Sequence, residues 1–188
     1  MGLLTFGLNV TLDGCIDHRV GLADDETHEL FTALMDSAGA MLWGRTTYEL
    51  MEEFWPDVAA GRVEVPPALL DWASKLEAKP KYVLSSTRSD YGWANTHHLP
   101  VDRDGGLEAA VRGLKGSRPD GVLLGSASLA TALQGLGLID EYRFLIHPVI
   151  AGQGPRLFDG AAPTAPLELV SSRRLGNGCL DVHYRRPA

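Results

Sequence analysis

Three tetrapeptides in this chain carry the residue types that hold phosphate. Gly44-Arg45-Thr46-Thr47 follows the apolar run Ala40-Met41-Leu42-Trp43. Ser85-Ser86-Thr87-Arg88 follows Tyr82-Val83-Leu84, and Gly125-Ser126-Ala127-Ser128 follows Gly121-Val122-Leu123-Leu124. In the first, Gly44 lets the backbone approach a ligand, Arg45 offers a planar fork for phosphate oxygens, and Thr46 puts a hydroxyl at a helix start. The second sets three hydroxyls and a cation at a strand end, which suits the ribose 2′-phosphate that separates NADPH from NADH. The third suits a pyrophosphate at a helix N-terminus, although it is neither a Walker A loop nor the Gly-x-Gly-x-x-Gly fingerprint. Taken singly, each also reads as a plain turn: a strand–helix turn with a surface arginine, a polar loop, a serine-capped helix. Ligands of open α/β sheets bind beyond the carboxyl ends of strands, so three such ends together suggest a phosphate-rich cofactor.

Other reactive residue types are scattered. Residues 12–29 form an acidic stretch, with Asp13, Asp17, Asp24, Asp25, Glu26 and Glu29 against Arg19 alone. That cluster reads as a solvated helix start favoured by the helix dipole, or as the source of a catalytic acid. His147, just before Pro148, reads as a packed or edge histidine, and His97-His98 as loop. Cys15 and Cys179 form no Cys-x-x-Cys or Cys/His cluster, and reduced thiols are expected. No Gly-x-Ser-x-Gly elbow favours a hydrolase.

The elements that must position these residues alternate. Strands are expected at Leu3–Thr11, Ala40–Trp43, Lys81–Leu84, Trp93–Leu99, Gly121–Leu124 and Glu141–Ile150. Helices are expected from an Asp24 or Asp25 cap to Ser37, from Thr46 to Phe54 with a stop at Trp55-Pro56, from Pro66-Pro67 onward, over Gly106–Leu114, and over Ser126–Leu136. Leu167–Arg174 and Cys179–Tyr184, split by Gly176-Asn177-Gly178, form a hairpin. Strand–helix alternation followed by a β-rich end predicts one α/β domain over residues 1–188, with a mainly parallel sheet, helices on both faces and antiparallel strands at one edge.

Composition narrows the partners. The chain has 188 residues and a net charge of −7, with 45% hydrophobic and 22% charged residues, which is ordinary for a globular domain. No Lys/Arg-dense run is present, which argues against nucleic acid or an anionic membrane as the main partner. No apolar stretch approaches the ~20 residues of a membrane span. The start of the chain lacks a basic region followed by a long apolar one, so a cytoplasmic protein is expected. The hairpin edge makes an oligomer an expectation as well.

The order of the motifs resembles a known family. Thr11-Leu12-Asp13-Gly14-Cys15-Ile16, Trp43-Gly44-Arg45-Thr46-Thr47-Tyr48-Glu49, Tyr82 to Thr87, Gly125-Ser126-Ala127-Ser128-Leu129, and Gly137 to Glu141 continuing through His147 to Phe158 recur in this order in the dihydrofolate reductase-like superfamily. The similarity is greatest to the reductase domain of riboflavin-biosynthesis deaminase-reductases and its stand-alone relatives. The resemblance implies a three-layer α/β/α sandwich, NADPH as cofactor, a homodimer, and hydride transfer to a C=N or C=O group of a small pterin- or pyrimidine-like heterocycle. It implies that Gly44, Arg45, Thr46, Ser85, Ser86, Thr87, Arg88, Gly125, Ser126, Ala127, Ser128 and Leu129 hold the cofactor, with Asn9, Val10 and Ile16 along the nicotinamide. The position of the proton-donating acid in dihydrofolate reductases falls at about His28, with Asp25 and Glu29 beside it.

The chain departs from the pattern in three ways. The zinc-deaminase half and its His-x-Glu and Pro-Cys-x-x-Cys signature are absent. The aligned acid position holds His, which departs from folate reduction. The segment bordering the substrate is acidic, which predicts a neutral or cationic substrate in place of a phosphorylated one. A nucleotide-binding protein without turnover, a sensor or sequestering module, would use the same motifs, and an FMN binder would use similar turns.

Overall fold

The computed structural model describes residues 1–101, 106–159 and 163–187. Within them, β1 (Leu4–Thr11), β2 (Ala40–Gly44), β3 (Lys81–Ser85), β4 (Thr96–Pro100), β5 (Val122–Leu124), β6 (Glu141–His147), β7 (Glu168–Arg174) and β8 (Leu180–Arg185) form one sheet. Its order is β4-β3-β2-β5-β1-β6-β8-β7. The strands from β4 to β6 run parallel, and helices occupy the connections between them except that from β3 to β4. β8 pairs antiparallel with both β6 and β7, and the Gly176-Asn177-Gly178 turn closes the hairpin with Gly178 at φ +87°.

The helices are α1 (Asp25–Asp36), α2 (Arg45–Glu52), α3 (Trp55–Ala59), α4 (Pro67–Ala78), α5 (Gly106–Ser117) and α6 (Ala127–Gly135). They cover the sheet on both faces. On one face Leu34 and Met35 of α1, Tyr48 of α2 and Leu76 of α4 pack with Trp43, Val83 and Trp93. On the other, Val111 and Leu114 of α5 and Leu129, Ala130 and Leu133 of α6 pack on Leu4, Phe6, Leu42 and Leu124. The three-layer α/β/α arrangement follows from strands that are apolar on both sides. None of these helices is long and apolar enough to cross a membrane.

Several boundaries differ from the sequence expectation: β4 runs Thr96–Pro100 and takes His97-His98 into the sheet beside β3, and α5 continues to Ser117. Trp55-Pro56 was expected to stop a helix; instead α2 ends at Glu52 and Trp55-Pro56 opens α3. Proline is tolerated in a first turn, where its missing N–H has no partner to lose. β6 ends at His147, not Ile150, because Pro148 cannot donate to the sheet.

Candidate active site at the carboxyl ends of the strands

The carboxyl ends of β2 and β5 lie side by side in the sheet, and each feeds a helix directly. The two helix starts are tied together by one side chain. The Gly44 N–H donates to Ser126 Oγ at 2.9 Å, and the Ser126 hydroxyl donates to Thr47 Oγ1 at 2.6 Å. Ser126 is 1% exposed, so these partners satisfy it away from water. The Gly125 N–H reaches back to the Leu42 carbonyl at 3.2 Å. A Cβ on Gly125 would stand 2.9 Å from Trp43 Nε1, which explains a glycine there.

Neither helix start has a side-chain cap: Gly44 precedes α2 and Ser126 precedes α6 without occupying the first-turn N–H groups. Those groups have no intrahelical acceptor, and together with the helix dipole they favour an anion. α1 is the contrast. Its Asp24 cap accepts from the Thr27 N–H at 2.9 Å and from the Thr27 hydroxyl at 2.7 Å, which closes that end to anions.

Beside the α2 start an open groove of about 740 Å³ has Arg45, Ser85, Ser86 and Thr87 in its lining. Leu84, Val101, Leu107, Leu129 and Leu136 are its apolar lining, together with Glu108, which pairs with Arg112 at 2.8 Å. Its volume is within the range of small-molecule and cofactor sites. The sequence reading missed Leu84, Val101, Leu107, Glu108 and Leu136 as lining residues. They come from separate elements that only the folded sheet gathers, and Leu136 stands 41% exposed just after α6.

The expected phosphate residues divide by role. Ser85 is buried and its Oγ accepts the N–H groups of Thr87 and Arg88 at 3.1 and 3.0 Å, so it shapes the loop. Ser86 and Thr87 are exposed on that loop. Arg45 is half-exposed, with Glu49 as its ion-pair partner at 3.0 Å. Arg88 is not among the groove-lining residues. Its guanidinium stacks on Tyr48 and Tyr91, 5.2 and 5.0 Å from the ring centroids, and it pairs with Glu52 at 2.9 Å.

Two of the sequence motifs are laced into one platform. The Leu12 N–H donates to the Val149 carbonyl, Ile16 to Pro155, and Leu157 to Gly14, at 2.9–3.0 Å. Asp13 accepts from the Ala151 and Gly152 N–H groups at 3.0 and 2.9 Å. The Thr11 hydroxyl and these backbone donors hold the Asp13 carboxyl well below the usual carboxylate range. Arg19 does the same to Asp17, and the Thr27 hydroxyl and N–H lower Asp24. Arg19 pairs with Asp17 at 2.6 Å and Arg156 with Asp13 at 3.4 Å. Val10 is buried on β1, Asn9 is half-buried beside it, and Ile16 is half-buried in the platform.

Of the expected acid positions, Asp25 and Glu29 lie four residues apart on the exposed side of α1, and His28 is half-buried. The His28 Nδ1–H donates to the Asp24 carbonyl at 2.8 Å. The buried residue in this turn is Thr27, whose hydroxyl also accepts from Asn177 Nδ2 at 3.3 Å. Cys15 and Cys179 are buried free thiols.

Comparison with known proteins agrees with the fold. A family model described as RibD C-terminal domain matches residues 3–180. The chain is 30% identical over 180 residues to the uncharacterized protein YyaP of Bacillus subtilis (strain 168), covering 94% of this chain and 91% of that one. A putative riboflavin biosynthesis protein from Shewanella sp. PV-4 superposes with a TM-score of 0.74 at 18% identity, over 99% of each chain. Dihydrofolate reductase from Enterococcus faecalis, complexed with NADP(H) and RAB-propyl, superposes with a TM-score of 0.61 at 14% identity, over 100% of this chain and 98% of that one.

Proposed function

The chain belongs to the RibD C-terminal domain family, and from that premise we propose that it is an NADPH-dependent reductase of a small, unphosphorylated heterocycle. The observation that carries this reading is the pair of uncapped helix starts joined through Ser126, beside a groove lined by hydroxyls, an arginine and apolar side chains. The N–H groups of α2 and α6 take the pyrophosphate, Arg45, Ser86 and Thr87 take the 2′-phosphate, and the leucine walls take the adenine. Gly125, with no room for a side chain, keeps the backbone close to the ligand. When bound, NADPH supplies the hydride, delivered to a C=N or C=O carbon of the substrate.

The protein's own contribution is placement and a proton. Asn9, Val10 and Ile16 line the reducing end. Asp13, Asp17 and Asp24 are held ionised and do not serve as acids near neutral pH. His28, with Nδ1 tied to the Asp24 carbonyl, keeps Nε2 for carrying a proton, and Asp25 and Glu29 beside it supply negative charge. Arg19 and Arg156 are both paired with aspartates, which favours a neutral or cationic heterocycle such as a pterin or pyrimidine.

The active form we propose is a cytoplasmic homodimer. β7 ends the sheet, all seven of its residues are exposed, and Leu169 and Val170 stand 57% and 47% exposed on it. Such an edge is ordinarily paired or covered.

The test is titration of the purified protein with NADPH and NADH, following tryptophan fluorescence and calorimetry, then an acceptor screen of pterins and pyrimidines. Tight NADPH binding, weak NADH binding and acceptor-dependent oxidation are expected. Binding without oxidation by any acceptor favours a sensor or sequestering protein. No binding of either cofactor at millimolar concentration overturns the cofactor assignment.

A further inference from the structure

His147, 2% exposed at the end of β6, makes contacts that none of the phosphate-binding turns use. The Leu22 N–H donates to His147 Nδ1 at 2.9 Å, and Cys179 Sγ lies 3.3 Å from the same nitrogen. Nε2 lies 3.0 Å from Asn9 Oδ1. A backbone N–H only donates, so Nδ1 must carry a lone pair. The single proton of the neutral ring therefore sits on Nε2 and is donated to the asparagine. The thiol of Cys179, pushed up by burial and so protonated, is a second donor toward Nδ1. The chain also passes close to the ring, because a Cβ on Gly21 would stand 3.3 Å from Nε2.

This fixes the Asn9 carboxamide without reference to how its two ends were assigned. Its oxygen faces His147, so its NH₂ faces away. That NH₂ makes no hydrogen bond among the described residues, and Asn9 itself is only half-buried. Asn9 sits in the carboxyl half of β1, in register with Leu145 of β6. Strand alternation puts it on the same face as Gly7, whose absent Cβ would meet Leu34 of α1 at 2.7 Å. Asn9 thus stands at the same sheet end as the two open helix starts, on the face covered by α1 and α2.

We infer that His147 is a positioning residue that locks Asn9 with its NH₂ turned toward the ligand, where it donates a hydrogen bond to a carbonyl oxygen. The inference rests on the reductase reading. The carbonyl belongs either to the nicotinamide carboxamide or to the heterocycle being reduced, and binding separates the two. Asn9→Asp keeps an acceptor for His147 but removes the donor. His147→Leu frees the carboxamide, and His147→Gln restores a donor to Asn9.

If the carbonyl is the nicotinamide's, Asn9→Asp and His147→Leu weaken NADPH about five- to tenfold, the worth of one neutral hydrogen bond, and His147→Gln recovers most of it. In that case 2′-phospho-ADP-ribose, which lacks the nicotinamide, binds all forms alike. If the carbonyl is the heterocycle's, NADPH affinity is unchanged and KM for the acceptor found in the screen rises by a similar factor. NMR of the ¹⁵N-histidine-labelled wild type reads the tautomer directly, without ligand and whether or not His147→Leu folds. A neutral Nε2–H form is expected. An Nδ1–H form, or Asn9→Asp with both NADPH affinity and acceptor KM unchanged, overturns the inference. Loss of 2′-phospho-ADP-ribose binding by the wild type overturns the cofactor assignment and leaves the tautomer result standing.

Discussion

The hydroxyl of Ser126 accepts the Gly44 N–H at 2.9 Å across 82 residues of sequence. It makes two strand-end turns into one unit, which holds two uncapped helix starts next to each other. Ser126→Ala leaves the Gly44 N–H without its acceptor and Thr47 without a donor. A loss of about 1–3 kcal/mol in unfolding free energy is expected, because an orphaned, sheltered donor costs its desolvation. NADPH affinity falls as well. Denaturant unfolding and calorimetry read the two effects; unchanged cofactor affinity would remove Ser126 from the site.

Two arginines with similar sequence settings are expected to behave differently. Arg45 lines the groove and has an exposed glutamate as partner, so Arg45→Ala weakens NADPH more than NADH with little effect on stability. Equal loss for both cofactors would move Arg45 to the pyrophosphate they share. Arg88 is stacked on Tyr48 and Tyr91 and paired with Glu52, so Arg88→Ala lowers stability by about 1–2 kcal/mol. Its effect on the cofactor follows from the loop it holds.

Burial lowers His147 below the ordinary histidine value of 6.5, while Asp24 acts in the opposite sense. The other groups around the ring, Asn9, Cys179 and the Leu22 N–H, are neutral. The unfolded chain therefore binds a proton near pH 6.5 that the folded chain still refuses. The stabilising contribution is complete above that pH and is lost as the pH falls toward the lowered folded value. His147→Gln flattens this part of the stability–pH curve. Thermal melts of wild type and variant between pH 5 and 8 provide the check, and parallel curves would exclude His147 as the source.

Gly154 has φ +102°, and a Cβ there would stand 2.8 Å from Cys15 Sγ. Gly154→Ala strains the backbone and forces the platform apart from the end of β1, costing about 1–3 kcal/mol. Cys15→Ala in the same chain removes the obstructing sulfur and recovers the steric part but not the backbone part. Unfolding of the single and double variants measures the split.

What is local in this fold is legible in the chain alone. Asp24 caps α1 through the N–H three residues on, Pro67 opens α4, and Gly176-Asn177-Gly178 turns the hairpin, each with partners a few residues away. The apolar runs ending in Gly44, Ser85 and Gly125 became β2, β3 and β5 for the same reason: side-chain burial and turn chemistry are written into neighbouring residues. Tertiary structure decided what depends on distant partners. Only the β2–β5 pairing brings Ser126 to Gly44. Only the packing of α2 against the loop after β3 turns Arg88 inward, onto Tyr48 and Glu52. Only the register of β1 against β6 brings His147 to Asn9. A polar side chain with several free donors takes whichever acceptor the fold delivers, and the identity of that acceptor is set by contacts tens of residues away in the chain.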